Sequence, residues 1–261
     1  MGSARWSDAD WKGYSSSVAD KPRDAVFTSS GLDDSLNPAK FTHRESRDSA
    51  VNPDSTPVII GCDETGSMGE LAEIIIKKGL GVVMGGIYDH KPVPDPHICC
   101  LALGDAYYDS APLQATQFEA SIVIAEQVAK MYIEGRGGAN NGESYALAWW
   151  FALNKVKADA IEKRRRKGYL FTIGDECCLP VITREQVAKY GGVAQSDIPV
   201  KVLLEEVSKD WEVFHIIIKP VSSQPVVSSW RDLLGQRAVL VEDHSKIAEV
   251  ILATMRVNEG H

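Results

Sequence analysis

The feature that most constrains the fold is a set of five short, mainly apolar runs that begins at residue 58. The runs do not alternate between apolar and polar residues, which is typical of strands buried on both faces of a sheet. They cover residues 58–62, 98–103, 169–173, 213–218 and 238–241. We therefore expect at least five core strands.

Segments with helical periodicity separate these runs. Residues 71–76 and 118–133 carry apolar side chains at near-helical spacing, residues 144–166 are expected to form one long helix, and residues 246–255 a closing helix. This alternation predicts an α/β fold, doubly wound and Rossmann-like, with a mostly parallel central sheet flanked by helices on both faces. Such folds place their sites at the carboxyl ends of the strands.

The first 56 residues differ from the rest of the chain. They are polar, interrupted by Ser, Asp and Pro, and show no sustained periodicity. We expect an N-terminal extension over residues 1–56 that is partly disordered or wraps the domain through its scattered aromatic residues. Residues 57–261 are expected to form a single domain.

The charge balance bears on the class of partner. The chain carries 36 acidic and 28 basic residues, a formal net charge of −8, whereas nucleic-acid binders usually present a basic face. The one dense basic run, residues 163–167, is interpreted as a helix C-terminus facing the negative end of the helix dipole. We therefore expect no nucleic-acid partner.

Other sequence features bear on the compartment. No stretch approaches the roughly 18 apolar residues of a membrane span, and the N-terminus shows no apolar segment typical of a secretory signal. The five cysteines are an odd number, and their adjacent pairs do not match the spacing of structural zinc ligands. These features predict reduced thiols, no membrane association and a cytoplasmic location.

The loop after the first core strand is the strongest candidate for chemistry. Asp63, Thr65 and Ser67 alternate, so that in an extended loop one carboxylate and two hydroxyls point the same way. Hard oxygen ligands of this kind suit Mg²⁺ or Mn²⁺. An alternative for Ser67 is a capping box with Glu70 that begins the next helix.

Two further loops offer oxygen ligands. Asp175 follows the strand at 169–173, and a neighbouring position of that strand would bring it close to Asp63; a simple turn is the alternative. The loop 135–144 is rich in Gly and Asn, and Asn140 or Asn141 could offer an amide oxygen. Here a Gly-rich turn is the alternative.

Together, these loops resemble the metal ion-dependent adhesion site of von Willebrand factor type A domains, including single-domain members of bacterial and phage type. The motif Asp63-x-Thr65-x-Ser67 is similar to the family's first motif, Asp175 to its later Asp, and Asn140 to the acidic ligand of a second-loop variant. Where other members carry a Thr in the second loop, this chain has Ala139.

The resemblance implies a binding module and no enzymatic activity. Mg²⁺, Mn²⁺ or Ca²⁺ would be held by the ligands Asp63, Thr65, Ser67, Asn140 and Asp175, with a possible rim of Glu64, Met68, Asn141 and Glu176. The ion would accept an Asp or Glu from a protein partner, which in this family can be an AAA-type ATPase or a larger complex.

Two alternatives stay open beside this interpretation. A bound Mg²⁺ with nearby acids could activate water, which would make the chain a metal-dependent hydrolase. The motifs of zinc proteases, P-loop proteins and α/β-hydrolases do not occur in the sequence. The chain could also be a degenerate scaffold that binds no metal.

Overall fold

A computed structural model describes residues 4–64, 73–134, 142–218 and 224–261. Within these residues, the strands are β1 (Arg44–Ser46), β2 (Thr56–Asp63), β3 (Pro96–Leu103), β4 (Leu113–Ala115), β5 (Val156–Ala158), β6 (Gly168–Gly174), β7 (Val181–Ile182), β8 (Ile198–Pro199), β9 (Trp211–Ile218) and β10 (Ala238–Val241). The α-helices are α1 (Asp8–Val18), α2 (Arg23–Val26), α3 (Leu80–His90), α4 (Val123–Val128), α5 (Ala146–Asn154), α6 (Asp159–Glu162), α7 (Arg184–Lys189), α8 (Val200–Val207), α9 (Gln224–Leu234) and α10 (Ile247–Asn258).

The main sheet confirms the predicted fold class. In the described part of the chain its six strands run in the order β10-β9-β6-β2-β3-β4, and every pair is parallel except β3–β4. Counted along the chain, these strands lie in the order 6-5-4-1-2-3, which is the doubly wound arrangement read from the other edge. All five apolar runs lie in this sheet, and every residue of β2, β3 and β6 is buried.

Two apolar layers cover the sheet. One contains side chains of α3, α4 and α10, and the other contains side chains of α5, α7, α8 and α9. The second layer includes Trp149, Trp211 and Trp230, each at most 1% exposed. Burial of such side chains contributes on the order of 2 kcal/mol each. Within the described residues, no helix is both long and apolar enough to cross a membrane.

The long helix expected over residues 144–166 is wrong. Helix α5 ends at Asn154, the chain extends through β5, and α6 supplies only four residues. The reason is a long-range contact, because β5 pairs in parallel with β1 from the N-terminal region. The stretch 118–133 is also less helical than expected, since α4 covers only Val123–Val128. The closing helix is confirmed as α10, and residues 75–79 form a π-helical segment that continues into α3.

The basic run does follow a helix C-terminus, but that helix is the four-residue α6, of which Lys163 is the C-cap. Lys163 pairs with Asp159 of α6, whereas three other side chains of the run pair with acidic residues near the amino ends of the strands. Arg164 forms ion pairs with Asp48 and Asp54, Arg166 with Asp54, and Lys167 with Glu212. The ion pairs with Asp48 and Asp54 therefore hold the segment before β2 against the start of β6.

The N-terminal region also packs on the helical layer through aromatic side chains. Trp11 lies between Trp6 and Tyr14, with ring centroids 5.5 and 6.1 Å away. Its indole covers Gly81 of α3, where a Cβ atom would lie 2.1 Å from Nε1. A residue without a side chain is therefore needed at this point for α1 to approach α3.

We expect Gly81→Ala to weaken this contact. Alanine ordinarily stabilises a helix by about 1 kcal/mol relative to glycine, but here the methyl group displaces the Trp11 ring. Gly85 of the same helix is the control, since its Cβ would meet only Asp8 at 3.9 Å. Thermal unfolding with tryptophan fluorescence should show a lower transition for Gly81→Ala and an equal or higher one for Gly85→Ala. Identical unfolding temperatures for the two variants would contradict the proposed packing.

His97 generates a prediction about pH. It is 1% exposed on β3, its Nδ1 lies 3.1 Å from the Ser46 hydroxyl, and burial lowers its pKa from 6.5 to about 4. Because folding disfavours the imidazolium, this contribution to stability is complete above pH 6.5 and is lost as the pH falls toward 4, by roughly 3 kcal/mol in total.

We therefore expect His97→Asn to reduce the loss of unfolding free energy between pH 7 and 4.5, measured by urea denaturation at each pH. Replacement of the exposed His244 is the control and should leave the slope unchanged. A wild-type slope in His97→Asn would show that His97 titrates normally in the fold.

Candidate functional site

Two of the predicted ligands lie at the same edge of the sheet. Asp63 is the last residue of β2, and Asp175 directly follows β6, the parallel neighbour of β2. The two residues are 1% and 6% exposed, so both carboxyl groups lie under the surface. The carboxyl ends of adjacent parallel strands thus place both acids where this fold class builds its sites.

Five of the remaining predicted site residues lie outside the part of the chain that the structure describes. They are Thr65, Ser67 and Met68 of the first loop and Asn140 and Asn141 of the second. The choice between Asn140 and Asn141, and between metal ligation and helix capping for Ser67, therefore stays open. Glu64 at the start of the first loop, and Glu143 and Ser144 at the end of the second, lie within the described residues.

A tyrosine that the sequence reasoning missed joins the two acidic loops. The Tyr145 hydroxyl donates to Asp63 Oδ2 at 2.7 Å and accepts from the Glu176 backbone N–H at 3.4 Å. The side chain is completely buried, and burial raises the pKa of the phenol well above its usual value, with further contributions from Asp63, Glu143 and Asp175. Three carboxylates therefore act on a single phenol.

Aromatic packing fixes the tyrosine. Its ring contacts His215 and Trp230 edge-on, with centroids 5.0 and 5.5 Å away, and His215 stacks on Trp230 at 3.5 Å. The Thr172 hydroxyl lies 2.8 Å from His215 Nδ1, and the Trp230 indole N–H donates to the Glu176 carbonyl at 2.9 Å. The Glu176 peptide is therefore held on its N–H side by Tyr145 and on its carbonyl side by Trp230.

Glu64 was expected at the rim of the site, but the structure places it below the edge. It is 2% exposed, and its carboxyl group accepts from the Gln114 amide at 3.2 and 3.3 Å. Burial raises its pKa well above the usual value, and the charges of Asp109 and Asp63 raise it further. Glu176 is partly exposed, and the pKa of its carboxyl group is raised by burial and by Asp175.

Backbone contacts tie the end of the Gly-rich loop to the Asp175 loop. The Glu143 N–H donates to the Cys177 carbonyl at 2.8 Å, and the Leu179 N–H donates to the Glu143 carbonyl at 3.1 Å. Ser144 accepts from the Ala106 N–H at 3.0 Å, which adds the loop after β3. Loops from three positions along the sheet therefore meet at this edge.

The described residues at this edge of the sheet supply some of the ligands that a hard cation requires. Buried carboxylates in a low-dielectric environment require protons, hydrogen bonds or a cation to offset their charge. Among the residues that the structure describes, however, no three His, Cys, Asp or Glu side chains converge so as to hold a metal ion. Asp63 and Asp175 can supply oxygen ligands, and a complete site would need oxygens from residues 65–72 and 135–141.

Comparisons with known proteins give the fold and no family assignment. No protein-family model matches the chain, and no curated protein matches it by sequence. The pilus adhesin SpaC from Lactobacillus rhamnosus GG, in its open conformation, superposes with a TM-score of 0.53 at 8% identity, over 82% of this chain and 31% of its own. Proximal thread matrix protein 1 from the mussel byssus, in its second crystal form, reaches 0.50 at 9% identity, over 78% and 47%.

A third structure, described as von Willebrand factor type A from Catenulispora acidiphila, has a TM-score of 0.45 at 12% identity, over 79% of this chain and 43% of its own. At such identities the likeness to the first two structures shows the fold alone. This chain spans less than half the length of each of those two proteins.

Gly174 gives a test of the Tyr145 geometry. A Cβ atom at this position would lie 1.9 Å from the Tyr145 hydroxyl oxygen. We expect Gly174→Ala to lower the unfolding free energy by about 1–3 kcal/mol through overpacking, measured by urea denaturation. Gly31→Ala is the control, because nothing lies within 4 Å of its Cβ position. Equal stability of the two variants would show that the tyrosine is placed differently.

Proposed function

We propose that this chain is a von Willebrand factor type A-like module that binds a protein partner through a divalent cation. The ligands would be Asp63, Thr65, Ser67, Asn140 and Asp175, and the cation Mg²⁺ or Mn²⁺, with Ca²⁺ as a further possibility. The observation that carries the proposal is that Asp63 and Asp175 are both buried at the carboxyl ends of adjacent parallel strands. The motif around Asp63 would supply the hydroxyls of Thr65 and Ser67, and the loop 135–144 would supply the amide oxygen of Asn140.

The partner group follows from the chemistry of the ion. Three of the five proposed ligands, the Thr65 and Ser67 hydroxyls and the Asn140 amide, are neutral and do not reduce the charge of the cation. An Asp or Glu from the partner would therefore gain by completing the coordination. SpaC is described as a pilus adhesin and the byssus protein as a thread matrix protein, and neither description names an enzymatic reaction. This supports binding as the function.

The class of the protein partner and the cellular location are likewise proposals. An AAA-type ATPase or a larger complex would suit an adaptor of this kind, and neither nucleic acid nor a membrane is expected to bind. The five cysteines are free thiols, of which Cys62, Cys99 and Cys100 are buried, which agrees with a cytoplasmic location.

Calorimetric titration of metal-free protein with Mg²⁺ and Mn²⁺ tests the metal site. We expect saturable binding by the wild type and its loss in Asp63→Ala, because the variant removes a ligand. Glu206→Ala, which removes an exposed acid on α8, is the control and should bind as the wild type does. Far-ultraviolet circular dichroism verifies that each variant is folded. Equal affinity of Asp63→Ala and wild type would overturn the assignment, and a wild type that binds neither ion would favour the degenerate scaffold.

A further inference from the structure

Tyr145 connects two loops that are far apart in the sequence. Its hydroxyl contacts Asp63, 82 residues earlier, and the backbone of Glu176, 31 residues later. The hydroxyl can donate one bond and accept another, and both capacities are used here. The position of the Asp63 carboxylate therefore depends on the same oxygen atom that contacts the Asp175 loop.

The surroundings leave this hydroxyl little freedom to move. The tyrosine ring packs against His215 and Trp230, and Gly174 leaves room for the hydroxyl where any Cβ atom would collide with it. The Trp230 indole also holds the Glu176 carbonyl. A displacement of Asp63 relative to the Asp175 loop would therefore break hydrogen bonds or disturb a close-packed aromatic cluster.

We propose that Tyr145 is a positioning residue, which fixes the Asp63 carboxylate against the Asp175 loop and makes the site select Mg²⁺ over Ca²⁺. The inference rests on the proposed metal site. Mg²⁺ requires near-ideal octahedral geometry at about 2.1 Å, whereas Ca²⁺ accepts longer and more variable distances. A fixed carboxylate therefore favours the smaller ion, and a loosened one tolerates the larger ion.

Tyr190 provides a matched comparison within the same chain. It is also a buried tyrosine, 5% exposed, and burial also raises the pKa of its phenol. Its ring packs on Trp150, and its hydroxyl has no hydrogen-bond partner among the described residues. Removal of this hydroxyl changes a buried phenol without changing any contact to the site.

The test measures dissociation constants of Mg²⁺ and Ca²⁺ by calorimetry for wild type, Tyr145→Phe and Tyr190→Phe. We expect Tyr145→Phe to weaken Mg²⁺ binding by about tenfold or more, the usual effect of losing a group that orients a metal ligand. Ca²⁺ binding should fall by roughly threefold or less, because its geometry is more permissive. Tyr190→Phe should keep both constants and their ratio.

Two outcomes overturn the inference while the proposed function stands. In the first outcome, wild type binds Mg²⁺ and Tyr145→Phe binds it with the same affinity. In the second, Tyr145→Phe loses affinity for Mg²⁺ and Ca²⁺ by the same factor, as a purely structural role of Tyr145 would give. A wild type that binds neither ion overturns the proposed metal site itself, and the inference with it.

A second variant covers the case in which Tyr145→Phe does not fold. Gly174→Ala keeps the tyrosine and displaces its hydroxyl, so it should lower the preference for Mg²⁺ in the same direction. Near-ultraviolet circular dichroism identifies the folded variants before titration. A folded Gly174→Ala with the wild-type ratio of the two constants would count against the positioning role.

Discussion

The hydrogen bond from the Tyr145 phenol to the Asp63 carboxylate is the interaction on which the carboxyl edge of the sheet depends. Asp63 ends a strand that is buried along its whole length, so its carboxyl group has little access to water. A buried carboxylate is costly unless donors or a cation approach it. The phenol supplies a donor. Its own position is set by α5, of which Tyr145 is the N-cap residue, and by Trp230 of α9. One bond thereby links a central strand to two helices of the same layer.

The two ends of the sheet are built differently. At the amino ends, Arg164 and Arg166 lie between β6 and the segment before β2 and pair with Asp48 and Asp54, so acidic and basic charges meet there. At the carboxyl ends, Asp63, Glu64, Glu143 and Asp175 are all at most 6% exposed. The N-terminal region thus packs at the amino ends of the strands. Among the described residues, several buried acidic side chains lie at the opposite end. The asymmetry points to the carboxyl edge as the place where an ion would change the charge most.

The sequence predicted five of the six strands of the main sheet, because burial on both faces leaves an uninterrupted apolar run, which is a local signal. It failed over residues 144–166, where a helix-forming pattern continues past Asn154 while pairing of β5 with β1, a contact between distant segments, determines the backbone. The helix at Asp8–Val18 was not predicted, because its few aromatic residues pack against α3, a contact that the local sequence does not reveal. At the candidate site, the positions of Asp63 and Asp175 at the carboxyl ends of adjacent strands could be predicted, since each follows an apolar run, while their role as ligands stays a prediction. Tyr145 could not be predicted, although Gly174, next to Asp175, hinted that something approaches closely.

An acidic edge on a chain with a net charge of −8 would repel the acidic partner group of the proposed function. A divalent cation reverses the sign of the local field, and how far it does so depends on how much negative charge its own ligands carry. The phenol of Tyr145 matters here as well, because a carboxylate that accepts a hydrogen bond withdraws less charge from the ion than one without a donor. In the proposed site, the bond that positions Asp63 would therefore also leave a bound cation more positive toward an incoming carboxylate. Rigidity of the site and attraction of the proposed partner would then have a common origin in one buried hydroxyl group.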